Sequence, residues 1–557
     1  MIPTAAEEGA PSAPPRGGLT RSAGIVGAAV FVSRILGLVR EQVFAAFFGA
    51  SRELDAFITA FRIPNLFRDL FAEGALSAAF VTCFTQKLER EGDAAAWRLA
   101  NLVLHALIVV VGGLVLLGMI GSPWLVDLIA PGFRTVPGKS ELTVHLTRIL
   151  FPFLLFVALA AVAMGMLNAK ERFGVPASAS SFFNLGSVVA GLACAWWLAP
   201  DYVGAVWRLG AERAALAAPD AVARAIAGMA IGTLVGGALQ LVVQVPSLYR
   251  VHYRYRPMLS FSDPDVRQVL ALMGPATIGA AAVQVNVLVN NNFASYLGDG
   301  AVSWLNVAFR FMQLPIGVFG VAVGVVALPA VSRRAARADS AGFADTVVRA
   351  LRLVFLLCIP SAVGLAVLAP EVIGLVYEHG RFGAEDTRMA AQALVAYALG
   401  LAGYANIKVL VPAFYALGDA RTPAAVSCLS IAVNALLNWL TIWKLGYGHT
   451  GLALATSTVA VLNLAILYAI LRRRIGALPG VADGLWRIAL ASAAVGVVCV
   501  GVKWGLAPFV DEARASGRAA VVAVAIPSGV AAFAALASAL GVREVDELAR
   551  RFARRTR

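Results

Sequence analysis

Long apolar stretches recur along the whole chain of 557 residues, separated by short polar or basic segments. Each stretch has about 20 residues or more, the length with which a helix crosses a bilayer core of about 30 Å. No polar stretch is long enough to form a separate soluble domain. The pattern predicts fourteen membrane spans, at residues 23–48, 56–84, 99–121, 143–167, 176–199, 225–249, 267–294, 302–331, 346–369, 388–415, 423–445, 450–471, 485–506 and 519–541.

Composition agrees with a membrane protein, since 60% of the residues are hydrophobic, 14% are charged and the mean hydropathy is +0.79. We therefore expect an all-α polytopic membrane protein. The five cysteines are scattered and form no CxxC pair, which argues against a metal site or a disulfide framework. The sequence shows no nucleophile–base pair, metal cluster or phosphate-binding loop, so an enzyme is not expected.

Lysine and arginine are concentrated in alternate loops, and the opposite loops at 295–301 and 446–449 contain neither. Cytosolic loops carry the excess of basic residues, so both termini are expected in the cytosol. The net charge of +14 largely reflects this bias. Residues 1–21 are interpreted as a disordered cytosolic tail without a signal peptide. The basic tail 542–557 fits a membrane-proximal cluster better than a nucleic-acid site.

The chain also repeats itself at a nearly constant shift. The shift is 248, 247, 248 and 247 residues for the pairs Arg62/Arg310, Pro123/Pro370, Gly132/Gly380 and Pro176/Pro423. A shift that covers six helices preserves their orientation, so we expect two parallel six-helix lobes with a substrate site between them. The division is an N-lobe at 22–250, a C-lobe at 251–472 and two extra helices within 473–541.

Five arginines lie inside predicted spans: Arg34, Arg40, Arg62, Arg68 and Arg310. A charge at the centre of a membrane helix costs about 2.5–3.5 kcal/mol on insertion scales, so such residues rarely face lipid. Because few acids accompany them, the arginines predict an internal cavity for an anion. Arginine suits bidentate contact with a diphosphate. The alternative is ion pairing that only holds helices together.

Four charged residues form a stripe on the second predicted span: Asp55, Arg62, Asp69 and Glu73. On a straight helix they fall within about 40° of one another, so the stripe is expected to face the cavity. Arg62 is the arginine most open to the structural alternative, through a pair with Asp55 or Asp69. Arg68 points elsewhere unless Pro64 kinks the helix.

The eighth predicted span has a related polar series without an acid: Ser303, Asn306, Arg310, Gln313 and Pro315. Arg310 therefore needs a partner from the other lobe or from a ligand. In the first span, Arg34 and Glu41 share a face, and Arg40 can pair with Glu41. Lys408 is either a second-lobe contact or a side chain extending to the interface. Three residues are expected hinges: Gly37, Pro64 and Pro315.

Three segments closely resemble the MurJ (MviN) family of lipid II flippases, of the MOP exporter superfamily: SRILGLVRE, DAFITAFRIPNLFRDLFAEGALSAAFVTCF and SWLNVAFRFMQLPIGVFGVAVGVVALPAVS. The loop ALGDARTP adds to the resemblance, which covers essentially the whole chain. It implies export of the undecaprenyl-diphosphate-linked peptidoglycan precursor from the inner to the outer leaflet of the bacterial cytoplasmic membrane.

The resemblance also implies roles for particular residues. It places four arginines around a central cavity: Arg34, Arg40, Arg68 and Arg310. Asp55, Arg62 and Glu73 match further motif positions of the family. Gln313 stands where some members carry an acid, so an acid at that position is not required here. The two extra helices are implied to form a groove for the lipid tail.

We expect the lobes to rock about the Pro64 and Pro315 region, with the head group entering between the first and eighth spans. A multidrug antiporter would need an acidic cavity, and a cell-wall scaffold would need no intramembrane arginines. A flippase for another polyprenyl-linked glycan, of O-antigen type, shares the physics. Expected partners are lipid II, membrane lipids and proteins of cell-wall synthesis and division, without nucleic acid. No cofactor is expected, and the coupling ion, Na⁺ or H⁺, is left open.

Overall fold

The computed structural model describes residues 16–69, 76–542 and 544–545, which form helices and short connections without a strand. The first repeat contains α1 (Arg16–Phe48), α2 (Arg52–Phe67), α3 (Ser77–Glu91), α4 (Asp93–Ile120), α5 (Ser122–Ile129), α6 (Lys139–Leu150), α7 (Phe153–Ala169), α8 (Gly174–Leu198), α9 (Pro200–Leu209), α10 (Ala211–Ala217), α11 (Pro219–Val242) and α12 (Val245–Arg250). The second repeat contains α13 (Pro264–Ala294), α14 (Ala301–Pro315), α15 (Ala322–Ala336), α16 (Ser340–Val367), α17 (Ala369–Tyr377), α18 (Ala384–Ala398), α19 (Leu401–Ala416), α20 (Arg421–Trp439) and α21 (Gly448–Ile475). The two extra helices are α22 (Val481–Leu506) and α23 (Ala515–Ala539).

Every predicted span coincides with one helix or with two consecutive helices. Within the described residues, ten helical segments are long and apolar enough to cross a membrane. The pair α18 and α19, bent by 44°, makes an eleventh if it is counted as one span. The all-α membrane fold is confirmed, and the count of fourteen stays a prediction.

The repeat extends to helices that the sequence did not predict. Pro123 and Pro370, expected in connections, each lie in the first turn of a short helix, α5 and α17. Proline suits this position because its missing N–H would be unpaired there anyway. The short helices α5, α9, α10 and α17 lie at one end of the bundle, called the short-helix side below. The other end carries the linker 251–263 between the repeats and is called the linker side.

Two expected hinge prolines interrupt regular helical geometry. Pro64 lies near the end of α2, and the backbone widens to a π turn at Arg68 and Asp69. Pro315 ends α14 and is followed by a π-helix at Ile316–Val321. A π turn rotates the side chains that follow it relative to a straight α-helix, so it changes the direction in which Arg68 points.

The repeated glycines lie where the two repeats touch on the short-helix side. A Cβ on Gly132 would lie 2.5 Å from the carbonyl oxygen of Ser295, and one on Gly380 would lie 2.2 Å from that of Ala46. Gly380 also has φ +65°, a conformation that favours glycine. The backbone N–H of Arg381 donates to the Ala46 oxygen at 2.8 Å. Close backbone contact therefore joins the repeats at this end.

Candidate functional site

A cavity of about 280 Å³ lies between the two repeats. Its polar wall includes four arginines and one carboxylate: Arg40, Arg62, Arg68, Arg310 and Glu41. Aromatic side chains form much of the remaining wall: Phe44, Phe57, Phe61, Phe183, Tyr377 and Phe382. The cavity is thus strongly basic, with apolar surfaces on which a less polar part of a ligand could rest.

Glu41 is the counter-ion at the centre of this wall. Its carboxylate lies 2.6 Å from the Arg310 guanidinium, which comes from the other repeat, and 3.7 Å from that of Arg40. The Tyr377 hydroxyl donates to Glu41 at 3.0 Å. Of the two partners expected for Arg310, a group of the other lobe or a ligand, the structure shows the first. The Arg310 side chain is still 47% exposed, so it can contact a ligand in the cavity.

Arg40 is held less tightly by charge than Arg310. Its guanidinium carbon lies 5.0 Å from the centre of the Phe183 ring, a cation–π arrangement. The 3.7 Å distance to Glu41 is long for a hydrogen bond. Arg40 therefore faces the cavity as a cation that shares a carboxylate with Arg310.

Arg62 does not form the expected ion pair with Asp55 or Asp69. Its guanidinium donates to the side-chain oxygen of Asn291 on α13 at 2.8 Å. Within the described parts of the chain, no ion pair of Arg62 with a carboxylate is found. Asp55 lies seven residues away, about 10 Å along the helix, and Asp69 is engaged by Arg68. The sequence therefore predicted the wrong partner for Arg62, the arginine that it interpreted as the most structural.

Arg68 lines the cavity, as expected if the helix is distorted near Pro64. Its guanidinium donates to one oxygen of Asp69 at 2.9 and 3.2 Å. The other oxygen of Asp69 accepts from Gln284 of the second repeat at 3.0 Å. Arg68 thus faces the cavity with a partial counter-charge. Glu73 lies outside the described residues.

Asp55 closes the short-helix end of the space between the repeats. It is fully buried and accepts from Lys139 at 3.0 Å, which is fully buried as well. It also accepts from the backbone of Gly300 at 2.8 Å and from the backbone and hydroxyl of Ser303 at 2.9 and 2.7 Å. Asp55 and Ser303 occupy equivalent positions of the repeat, 248 residues apart.

These bonds make Asp55 a cap for the first turn of α14, where a negative charge is favourable. Lys139 also contacts Asp299 at 2.8 Å and so joins both repeats. Ser303 lines the cavity as well, whereas Asp55 lies beyond the lining residues. The structure therefore places Asp55 in a closure of the cavity and not in its wall.

Three other predicted site residues lie away from the cavity wall. Arg34, Gln313 and Lys408 are exposed, and the lining of the cavity does not include them. Gly37 faces Asn184 of α8, where an added Cβ would lie 3.5 Å from the amide nitrogen. A side chain at residue 37 would therefore meet α8 in ordinary contact.

Sequence reasoning missed Lys139, Tyr377 and Asn291 as partners of the charged residues. Lys139 lies between predicted spans. The only feature of the sequence that points to it is the shift of 247 residues that relates it to Asp386. Asn291 carries no charge, and its only signal is its place in a run of three asparagines, residues 290–292, within an apolar span. Among the residues that the structure describes, no group of three or more His, Cys, Asp or Glu side chains could hold a metal ion.

Four guanidinium groups and one carboxylate in the cavity wall can neutralise an anion with two or more charges. Arginine forms bidentate hydrogen bonds to phosphate, and such charge-assisted bonds are about twice as strong as neutral ones. The cavity is therefore suited to a diphosphate group.

Comparison with known proteins agrees with this chemistry. The family model for Lipid II flippase MurJ matches residues 44–513. A Vibrio cholerae protein named Probable lipid II flippase MurJ is 36% identical over 460 residues, 81% of this chain and 82% of its own length. Lipid II flippase MurJ of Burkholderia cenocepacia is 36% identical over 447 residues, 80% and 82% of the two chains.

One solved structure gives the same assignment, and a second shows the same fold. The structure of Lipid II flippase MurJ in an inward closed conformation matches with a TM-score of 0.72 and 26% identity, over 93% of this chain and 99% of that one. An inward-facing multidrug resistance MATE family transporter of the MOP superfamily matches with a TM-score of 0.62 over 82% and 98% of the chains, and its 14% identity shows the fold alone. Since the family model spans most of the sequence, the chain belongs to the MurJ family of lipid II flippases.

Proposed function

We propose that the chain moves lipid II, the undecaprenyl-diphosphate-linked peptidoglycan precursor, from the inner to the outer leaflet of the bacterial cytoplasmic membrane. The observation that carries this proposal is the cavity between the repeats, whose wall contains four arginines and Glu41. The diphosphate of the substrate occupies this basic wall while the polyprenyl tail stays in lipid, along the helices α22 and α23. Transport of this kind makes and breaks no covalent bond.

The linker side faces the cytosol in this proposal. The basic last turns of α15 and α21 lie on that side, with Arg333 and Arg334 in one and Arg472, Arg473 and Arg474 in the other. Positive residues favour the cytosolic face of a membrane. The short-helix side, with its closure around Asp55, is then the outer gate.

Glu41 occupies the position on Arg310 that the diphosphate of the substrate takes when it binds. In the structure it neutralises Arg310 and part of the charge of Arg40. A diphosphate brings more charge and more acceptor atoms than one carboxylate, so it displaces Glu41 from Arg310. Glu41 restores the pair when the substrate leaves, which prepares the cavity for another cycle.

Release to the outer side requires the two repeats to rock apart as lobes. Asp55 then loses its hydrogen bonds to Gly300 and Ser303 and keeps Lys139, which belongs to the same repeat. The membrane potential assists because the substrate is an anion. Moving one charge across 100 mV is worth about 2.3 kcal/mol.

The test uses bacteria depleted of their own lipid II flippase. The wild-type chain should restore growth and the exposure of lipid II at the outer leaflet, measured with an enzyme that cleaves lipid II from outside. The double variant Arg40→Ala/Arg68→Ala should restore neither at equal protein level. A matched control is Arg349→Ala, which removes an exposed arginine paired with Asp345. Full activity of the double variant would contradict the proposal.

A further inference from the structure

Two equivalent seams between the repeats run through the linker side. In the first, called the linker seam, α13 lies against α3. The second, called the α1 seam, is the one between the equivalent helices α1 and α15. A shift of 248 residues relates α1 to α13 and α3 to α15. On the short-helix side both seams are closed, by Gln42 with the Val376 carbonyl and by Asn292 with the Leu128 carbonyl, each at 2.8 Å. On the linker side they differ.

The linker seam is packed like a protein core. Val269 of α13 is 2% exposed and belongs to the same apolar cluster as Phe80, Cys83 and Phe84 of α3. The other buried members of this cluster belong to the first repeat, apart from Tyr253 of the linker, so Val269 anchors the start of α13 in that repeat's core. Removing such apolar side chains from solvent stabilises the contact.

Ion pairs seal the same seam at its end. Lys87 of α3 lies 2.7 Å from Asp265, and Arg98 of α4 lies 2.6 Å from Asp263. The two aspartates begin α13, whose first turn favours negative charge. The start of α13 is therefore bound to the first repeat by charge as well as by apolar packing.

The linker that precedes α13 is itself bound along α4. Asn101 is 3% exposed and makes three hydrogen bonds to the linker. It accepts from the Tyr253 hydroxyl at 2.8 Å and from the Arg256 N–H at 3.0 Å, and it donates to the Arg254 carbonyl at 3.3 Å. Arg98, Asn101 and His105 lie on one face of α4, spaced three and four residues apart.

The α1 seam lacks these contacts. Along the described parts of the two helices, α1 has no packing against α15 comparable to that of α13 against α3. Added Cβ atoms on Gly24 and Gly27 would meet no atom within 4 Å, and Val326 of α15 is 77% exposed. The sequence also differs, since Arg21 occupies the position equivalent to Val269. A charged residue there does not favour an apolar seam.

We infer that residues 251–263 form a strap that keeps the linker seam shut throughout the transport cycle. The α1 seam, between the first and eighth spans, is then left as the lateral entrance that the family resemblance implies. The inference rests on the proposed function and extends it, because a cavity between two equivalent lobes could otherwise open laterally on both sides. Rocking must take place with the start of α13 fixed to the first repeat.

Cross-linking of the linker seam tests the strap. In a background without the five native cysteines, Lys87→Cys and Asp265→Cys are combined and joined with a short bismaleimide. Because the seam stays shut, the cross-linked protein should retain lipid II translocation within about twofold of the uncross-linked protein. The two single-cysteine variants control for the substitutions and for the reagent. A loss of translocation of tenfold or more on cross-linking would overturn the inference.

A second measurement needs no substrate. Adding Asn101→Ala to the double-cysteine protein should lower the initial rate of cross-linking at least threefold, because the linker loses its three bonds. Arg349→Ala on the surface of α16 should leave the rate unchanged. An equal rate with and without Asn101 would contradict the strap. Absence of translocation by the wild-type chain would instead reject the proposed function, while the cross-linking rates would still report on the strap.

Discussion

Arg62 and Arg310 occupy the same position in the two repeats and line the same cavity, yet they face different groups. Arg310 lies 2.6 Å from the carboxylate of Glu41, whereas Arg62 donates to the neutral amide of Asn291 at 2.8 Å. The protein therefore neutralises Arg310 with a carboxylate, whereas Arg62 has no carboxylate partner in the described part of the chain. A ligand must therefore displace a carboxylate to bind Arg310, whereas it can bind Arg62 without displacing one.

The difference has a consequence for substrate binding. A diphosphate that reaches Arg310 must first displace Glu41, whereas at Arg62 it competes only with one amide. Exchange at Arg310 couples binding to the contact between the repeats, because Glu41 and Arg310 come from different repeats. We therefore expect Arg310 to matter most for translocation and Arg62 to matter mainly for affinity.

The largest effect should come from comparing Arg310→Ala with Arg62→Ala. Loss of Arg310 removes a phosphate contact and leaves Glu41 without its nearest cation, so translocation should fall about 100-fold, equivalent to about 3 kcal/mol. Loss of Arg62 removes one charge-assisted contact of about 1.5 kcal/mol, so translocation should fall about tenfold. The initial rate of lipid II exposure at the outer leaflet, normalised to protein level, measures both.

Equal losses of translocation in the two variants would contradict the proposed difference between Arg310 and Arg62. Thermal unfolding of the purified variants serves as the control for folding. Each variant should unfold within a few degrees of the wild-type chain, because both arginines face the cavity.

Glu41→Gln should separate binding from transport. The amide keeps the size of the side chain but removes the charge that competes with a diphosphate. Binding of farnesyl diphosphate, a soluble probe, should become about tenfold tighter, while translocation of lipid II should fall about tenfold because the pair with Arg310 no longer reforms. Calorimetry on the purified protein measures the affinity for the probe, and the outer-leaflet assay measures the rate of translocation. Weaker binding of the probe would show that Glu41 supports the substrate and does not compete with it.

The overall fold follows from the sequence because bilayer crossing imposes a pattern on every helix. Apolar length located the spans, and the constant shift related Arg62 to Arg310 before any distance was known. The need of Arg310 for a partner from the other lobe or from a ligand also followed, since the eighth span contains no acid. These predictions depend on composition and periodicity, which can be read directly from the sequence.

The partners of Arg62 and Asp55 did not follow, because they depend on contacts between distant segments and on a distorted helix. The stripe from Asp55 to Asp69 assumed a straight α2, whereas the π turn after Pro64 changes the direction of the later side chains. Uncharged amides were also missed as a network. Asn434 donates to Asn286 and Asn290 at 2.8 and 2.7 Å, without a charge in any of these residues.

Asn291→Asp should make the environment of Arg62 resemble that of Arg310. The new carboxylate would pair with Arg62, so binding of farnesyl diphosphate should weaken about fivefold, which corresponds to about 1 kcal/mol. Asn292→Asp is the matched control, because Asn292 donates to the Leu128 carbonyl and not to an arginine. It should change binding less than twofold.

Loss of the Asn291 hydrogen bond to the Ile129 carbonyl also has to be separated from the added charge. Asn291→Ala loses that bond and the Arg62 contact without adding a carboxylate. If it weakens binding as much as Asn291→Asp, the charge is not the cause, and the contrast between the two arginines loses its electrostatic explanation.

The smallest effect is expected for Arg62→Lys. Arg62 makes one hydrogen bond to a neutral oxygen, which an ammonium group can also make, so translocation should fall only about twofold. Arg310→Lys should be more harmful, because an ammonium cannot bind a carboxylate or a phosphate in the two-pronged manner of a guanidinium. Both variants keep the charge, so a difference between their outer-leaflet rates reports geometry alone. If Arg62→Lys were as damaging as Arg62→Ala, Arg62 would require the planar guanidinium as well, and the two repeats would hold the diphosphate in the same way.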